Sequence, residues 1–443
     1  MSTITAISSP IGAGGIGIVR VSGEDALDIA SAIFHISGKA TTFEPLKMTF
    51  GTFQAEDFCD KGYAVYFPSS RAFTGEDTVE FYLHGGVRIM QGALDTIISH
   101  GAVLASKGEF TKRAYLSGRI ALADAEGVID MINAESAAGL RAAYRLMDGE
   151  VSKKINGILD SLLNLISSLE ASLDYPDEMQ DELLPIVPVE LAKILSEVET
   201  LIASAKSGHM AKHGITAVLA GKTNSGKSSL MNAMLKRERA IVTPIAGTTR
   251  DTVSESFECD GVKINLIDTA GIRESADEIE NEGIARAKQA FQSADVILHV
   301  IDTTDKSDRD FGARFLDGIE VGARVFTILN KCDQTSFACP RRADMFAVSA
   351  KTGENVEHLT RSIASLFTCG ELEGGEIITS ERHISALNQA KLALKSAFAS
   401  IDETIDCTLI DMRFAYDALG EITGRTATED VVAGIFSRFC IGK

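Results

Sequence analysis

The feature that most constrains this chain is Gly221-Lys-Thr-Asn-Ser-Gly226-Lys227-Ser228. It fits GxxxxGK[ST] and lies between an apolar run, ITAVLA, and a helix-like stretch, SSLMNAML. A glycine-rich loop in that setting curls its backbone N–H groups around phosphate oxygens, and the helix N-terminus adds the positive end of its dipole. Lys227 supplies a point charge for the β- and γ-phosphates, and the Ser228 hydroxyl is a ligand for Mg²⁺. The motif also fixes the layering around it. The runs ITAVLAG, INLIDTAG, VILHVID, RVFTILN and MFAVSA alternate with stretches long enough for helices, so residues 214–370 read as a doubly wound parallel sheet.

Further segments follow in the order a nucleotide domain needs. Asp268-Thr269-Ala270-Gly271 closes the strand INLI, which puts a carboxylate at the sheet's C-terminal edge for Mg²⁺ and the Gly271 N–H within reach of a γ-phosphate. Asn330-Lys331-Cys332-Asp333 closes VFTIL. The Asp333 carboxylate accepts the ring N–H and exocyclic amine of guanine together, a donor pattern adenine lacks. Ser349-Ala350-Lys351 ends the last strand and closes over the base. The expected lining is therefore Asn224, Ser225, Gly226, Lys227, Ser228 and Ser229, with Thr243, Pro244, Ile245, Ala246, Gly247, Thr248 and Thr249 from the following loop. To these are added Asp268, Thr269, Ala270, Gly271, Asn330, Lys331, Asp333, Ser349, Ala350 and Lys351. Thr249 is the expected second Mg²⁺ ligand. The domain is expected to bind GTP.

Hydrolysis is less plainly written. Ras-type enzymes place a water-orienting glutamine directly after the glycine of this motif, and here that residue is Ile272. The catalytic group must come from downstream, from a partner or from a cation. The acidic run Asp277, Glu278, Glu280 and Glu282 lies in the segment expected to respond to the γ-phosphate, although such a run is more simply a solvated face.

The flanks have other periods. Residues 1–117 alternate short β-type runs with glycine turns and read as an α+β domain with antiparallel strands. Residues 118–213 are helical. Ile155, Ile158, Leu159, Leu162, Leu163, Ile166, Leu169 and Leu173 form one apolar stripe, and Leu191, Ile194, Leu195, Val198, Leu201 and Ile202 form another. Tyr175-Pro176, Pro185 and Pro188 mark a loop between them. Residues 371–443 return to helical spacing, which suggests a helical bundle into which the α/β domain is inserted.

The formal net charge is −19, which excludes nucleic-acid binding through bulk positive charge. Seven cysteines without a CxxC pair argue against a disulfide framework or zinc site. No export signal or membrane-length apolar run is visible, so the expectation is a cytoplasmic protein with no membrane partner. Gly12-Ala-Gly14-Gly-Ile-Gly17 fits GxGxxG, but a strand rather than a helix follows it, so no dinucleotide site is expected. His84-Gly85-Gly86 has no GxSxG partner and reads as a turn after TVEFYL.

GAGGIGIVRVSG, FTGEDTVEFYLHGG, GEFTKRAYLSGRIALADAE, GTTRD and the terminal FCIGK together resemble the MnmE (TrmE) family of tRNA modification GTPases along the full length. The resemblance implies a multidomain α+β protein: an N-terminal α/β folate-binding and dimerisation domain (1–117), a helical bundle domain (118–213 and 371–443) and an inserted doubly wound P-loop α/β G domain (214–370). It implies a homodimer that works with the FAD-dependent protein MnmG on C5 of the tRNA wobble uridine, taking one carbon from 5-formyl- or methylene-tetrahydrofolate. By position it implies K⁺ on Asn224, Thr243, Ile245 and Thr248, Glu280 as the catalytic glutamate, and folate on Arg20, Glu80, Arg119 and Lys443. Arg119 stands where the family usually has lysine, and the two geometries are not interchangeable. Cys440 is open to a role in the one-carbon chemistry, but beside Phe439 and Ile441 it reads more simply as packing. The competing reading is an Era- or Der-like GTPase that binds structured RNA without modifying it. The acidic, helical tail ending in CIGK argues against the basic tail such proteins carry.

Overall fold

The computed structural model describes residues 1–38, 42–175, 183–237, 239–240, 254–268, 290–305, 323–334, 342–367, 377–401 and 404–442. The chain forms two compact units. One comprises residues 1–129, 146–196 and 386–443, the other residues 130–145 and 197–385.

The first unit contains a seven-stranded sheet. Its strands are β1 (Ile4–Ile7), β2 (Gly14–Ser22), β3 (Phe34–Ile36), β4 (Thr49–Gln54), β5 (Cys59–Phe67), β6 (Thr78–Gly85) and β7 (Val103–Leu104), in the order β3-β4-β5-β6-β2-β1-β7. All pairings are antiparallel except β1 with β7. Alternate residues such as Val19, Val21, Val79, Phe81 and Leu83 face the core, where helices α1 (Ala26–Ile33) and α2 (Val87–Ser99) bring Ile29 and Ile97. The glycine-rich segment enters β2, as its sequence predicts. A Cβ at Gly17 would stand 2.2 Å from Met90 Sδ, so this glycine serves helix packing. One expectation needs correcting. His84 and Gly85 continue β6, and α2 begins straight after Gly86, so the strand runs two residues beyond TVEFYL.

Helices complete this unit. They include α3 (Glu109–Leu116), most of α4 (Leu122–Asn133), α6 (Glu150–Asp174), and the helices Ile405–Thr423 and Glu429–Phe436, whereas α5 (Ala137–Met147) belongs almost wholly to the second unit. Most of the expected α6 stripe is buried: Ile155, Ile158, Leu159, Leu162, Ile166 and Leu169. Leu163 and Leu173 are exposed, and Leu165 is buried instead. At about 100° per residue, Leu163 and Leu165 fall on opposite margins of the stripe, and the packed face takes in Leu165. Pairs Arg413–Glu170 and Arg425–Asp160 run in opposite sequence order, which sets the helix Ile405–Thr423 antiparallel to α6. Thr404 and Thr428 cap their helices by accepting the N–H groups of Cys407 and Val431. The helix Val187–Ala203 buries Leu191, Ile194, Val198 and Leu201. Its first turn contains Pro188, where the missing N–H costs no helical bond, so this proline opens the helix instead of interrupting it.

The second unit is built on strands β8 (Ile215–Ala220), β9 (Arg239–Ala240), β10 (Ser254–Cys259), β11 (Val262–Asp268), β12 (Val296–Asp302), β13 (Arg324–Asn330) and β14 (Met345–Ala347). Their order is β14-β13-β12-β8-β11-β10-β9. The strands expected from sequence pair in parallel, and β10, antiparallel to both β11 and β9, makes the sheet mixed at that side. The cause is local. Only Asp260 and Gly261 join β10 to β11, with φ of 49° and 81°, the backbone of a tight hairpin turn. A loop that short cannot make the crossover a parallel pair needs. Leu219, Leu266, Val300, Phe326 and Phe346 from the sheet, with Leu230 and Met234 from the helix Lys227–Arg237, form its core.

Candidate functional site

The parallel strands β8, β11, β12 and β13 end at Ala220, Asp268, Asp302 and Asn330, and the chemistry-bearing residues gather at that edge. The loop after β8 takes a shape few residues tolerate: φ is 144° at Gly221, 66° at Asn224 and 93° at Gly226. A Cβ at Gly221 would lie 2.3 Å from the Val300 carbonyl oxygen, and one at Gly226 would lie 2.2 Å from Asn330 Nδ2. Both positions therefore require glycine for space as well as for backbone angle.

Lys227 is buried, and its ammonium donates to the carbonyls of Gly221 (3.1 Å) and Lys222 (2.7 Å). The cation is thus held inside the loop it closes. Ser228 Oγ donates to Asp268 Oδ2 at 2.8 Å, which sets two hard oxygen donors side by side at the first turn of the helix. This is the donor chemistry Mg²⁺ takes. Ser225 is 1% exposed, and its Oγ has no hydrogen-bond partner among the described residues.

The base side is tied to the phosphate side. Asn330 is buried; its Nδ2 donates to the Ser225 carbonyl (2.9 Å), and its Oδ1 accepts the N–H groups of Lys331 (2.9 Å) and Ala350 (3.1 Å). Lys331, at φ 65°, donates its ammonium to Asp302 Oδ2 (2.5 Å) and the Asn224 carbonyl (3.3 Å). Burial pushes the Asp302 carboxyl up, but bonds from Lys331 and Thr304 outweigh it and hold the group below the ordinary carboxylate value. Ser349 Oγ donates to Asp333 Oδ1 at 2.7 Å, which leaves Oδ2 and a second lone pair on Oδ1 as acceptors for a base. Beside these residues opens a cleft of about 580 Å³ lined by Gly226, Ser229, Lys331, Asp333, Ala350 and Lys351, among others.

The structure therefore brings together Asn224, Ser225, Gly226, Lys227, Ser228, Ser229, Asp268, Asn330, Lys331, Asp333, Ser349, Ala350 and Lys351. Thr243 to Thr249, Thr269, Ala270, Gly271, Ile272, the acidic run with Glu280, and Lys443 lie outside the described residues. Sequence reasoning missed Asp302. Its signal was an aspartate at the C-terminal end of a parallel strand, beside the loop that reads the base.

A second cluster lies in the first unit. Arg20 and Glu80 face each other across β2 and β6, and Arg20 donates through Nε (2.8 Å) and a terminal nitrogen (2.7 Å) to Glu80 Oε1. The guanidinium also lies 5.5 Å from the centre of the Phe110 ring. Arg119 is exposed and donates to the Ser69 carbonyl at 2.5 Å. Cys440 is exposed, which corrects the packing interpretation; its neighbour Phe439 is the buried one. Around it the C-terminal segment lies against the N-terminal sheet. Ile441 bridges to Lys107, and the Gly442 carbonyl accepts Ser8 Oγ at 3.1 Å.

A phosphate loop, a carboxylate beside its serine and a base-reading loop on one edge of a doubly wound sheet define a P-loop guanine-nucleotide-binding protein. Family models place the rest of the chain. The model for the GTP-binding protein TrmE N-terminus matches residues 3–119, and the model for the MnmE helical domain matches residues 122–440. The chain is 38% identical over 456 residues to the tRNA modification GTPase MnmE of Syntrophus aciditrophicus, covering 100% of this chain and 99% of that one. It is 37% identical over 463 residues to the Shouchella clausii protein of that name, covering 100% of both. With the Xanthomonas campestris protein the identity is 40% over 449 residues, covering 100% and 99%. The chain belongs to the MnmE family of tRNA modification GTPases, and it is a GTP-hydrolysing enzyme. Among the described residues no helix is long and apolar enough to cross a membrane.

Proposed function

We propose that GTP hydrolysis in the second unit drives a cycle that prepares modification of tRNA at C5 of the wobble uridine, carried out with the flavoprotein MnmG and a tetrahydrofolate one-carbon unit. The observation that carries the nucleotide half is the cross-tie through Asn330, which joins the phosphate loop to the base loop in one seat. Ser228 and Asp268 fit Mg²⁺ by donor type and separation, with Thr249 as a further ligand. Bound there, Mg²⁺ neutralises charge that develops on the β- and γ-phosphates. Lys227 directs its ammonium to the phosphate oxygens. Asp333 orients guanine through its acceptor pair, and Ser349 fixes the rotamer of that carboxylate.

Ile272 has no polar group to orient the attacking water, so Glu280 takes that part. Asn224, Thr243, Ile245 and Thr248 would hold K⁺, which would supply the charge that an arginine finger brings elsewhere and favour pairing of two G domains. The backbone carbonyl of Asn224 accepts the Lys331 ammonium at 3.3 Å.

The folate half rests on Arg20 and Glu80, a fixed pair whose carboxylate suits an amino-pyrimidine edge, the anionic tail falling to other cations. Arg119 and Lys443 add cations to that tail, and the homodimer forms through the N-terminal units. The domain limits proposed are 1–117, 118–213 with 371–443, and 214–370. The test is mass spectrometry of wobble nucleosides from cells lacking the protein. Loss of the C5 substituent, restored by the gene, supports the reading; an unchanged nucleoside profile overturns it in favour of an RNA-binding assembly GTPase.

A further inference from the structure

The cluster around Arg20 contains a residue that neither the motifs nor the family pattern assigns. On β6 the side chains of Glu80, Tyr82 and His84 alternate onto one face. The Tyr82 hydroxyl donates to Glu80 Oε2 at 2.6 Å, while both Arg20 bonds fall on Oε1. The two carboxylate oxygens are therefore in different states. Oε1 accepts two N–H groups and is saturated, whereas Oε2 accepts one hydroxyl and keeps a lone pair. The phenol has a single proton, and Glu80 holds it. Burial, with the neighbouring carboxylate, pushes the Tyr82 phenol up to about 12, so that proton stays in place near neutrality. What Tyr82 offers a ligand is then a lone pair.

We propose that Tyr82 Oη and Glu80 Oε2 together form a two-acceptor edge that takes the adjacent ring N–H and exocyclic amine of an amino-pyrimidine. In this arrangement Tyr82 touches the ligand and sets specificity for it, and Arg20 keeps Oε1 out of competition. Glu80 alone has too little free acceptor capacity for both donors, because one of its oxygens is committed to Arg20. The inference deepens the folate reading and rests on it.

The test is a binding titration of full-length protein with 5-formyltetrahydrofolate and with a folate analogue lacking the exocyclic amine. Wild type, Tyr82→Phe, Glu80→Gln and the double variant are compared. Tyr82→Phe should bind the folate about tenfold more weakly, the size of one lost polar contact, and should discriminate less against the analogue. Tyr82→Gln, which keeps a donor for Glu80 and an acceptor for the ligand, should restore affinity to within about threefold of wild type. In the Glu80→Gln background, Tyr82→Phe should cost little more, since the two groups act as a unit; additive losses would mean a merely structural role. If wild type binds, Glu80→Gln loses binding and Tyr82→Phe matches wild type, the inference fails while the folate reading stands. If Glu80→Gln binds as wild type does, both fail together.

Discussion

Truncating Asn330 is the sharpest test of the nucleotide seat. The side chain is 1% exposed and makes three hydrogen bonds: to the Ser225 carbonyl and from the Lys331 and Ala350 N–H groups. At about 1 kcal/mol net for each, Asn330→Ala forfeits about 3 kcal/mol, and the partners left unsatisfied in a buried site push the figure higher. Gly226 packs so closely against Asn330 Nδ2 that its backbone borders the vacated space. These bonds join parts of the protein to one another as well as shaping the seat, so the loss divides between the fold and the affinity. If all of it falls on the fold, a unit of this size melts about 6–12 °C lower. If the free loops relax and must be re-formed on binding, GTP affinity falls by about two powers of ten. Calorimetric melting and titration with a fluorescent guanine nucleotide, in one buffer, measure both shares. Their sum should be at least about 3 kcal/mol. A melting temperature within about 2 °C of wild type together with affinity within about threefold would refute the cross-tie.

Asp333→Asn should relax discrimination between guanine and xanthine nucleotides; competition binding reads it, and an unchanged preference places base recognition elsewhere. GTP turnover should be much faster in K⁺ than in Na⁺ at equal ionic strength, and equal rates would refute a size-selective site on Asn224. Glu280→Ala should cripple single-turnover hydrolysis with GTP affinity near normal, whereas lost affinity would mean a binding role. Asp302 makes a pH prediction. Its folded carboxyl lies below the ordinary value, so its stabilising effect is present above about pH 3.9 and is lost as pH falls through the lowered folded value. Melting curves of Asp302→Asn should therefore lack part of the wild-type acid-side decline, and parallel curves would show that the Lys331 pair contributes nothing.

Much of the second unit was legible because each motif ends a strand, and a parallel sheet collects its strand ends on one edge. Position along the chain thus translated directly into position in the site for Lys227, Ser228, Asp268, Asn330 and Asp333. The antiparallel β10 was less visible because SESFEC is largely polar, and the Asp260-Gly261 turn that joins it to β11 went unread. Helical stripes gave the axis of burial but not its width. Leu163 and Leu165 are both leucines near the stripe, and only packing decides between them. Arg20 and Glu80 came from family resemblance; their pairing is a matter of cross-strand register, which local periodicity does not carry. Tyr82 escaped for a related reason, since a tyrosine in a strand ordinarily signals packing. The exposed thiol of Cys440 depends on how the last residues lie against Lys107 and Ser8, far away in sequence.

The joining of Ser225, Asn330 and Ala350 has a consequence for how the ligand's parts contribute. Two loops tied together by the protein's own bonds do not have to be brought together by the ligand, so neither guanosine nor triphosphate has to join them for the other. Fragments of the nucleotide should then show weak but nearly independent affinities, whose free energies add once the entropy of tethering is allowed for. In a pocket that folds around its guest, the first fragment would strongly promote the second.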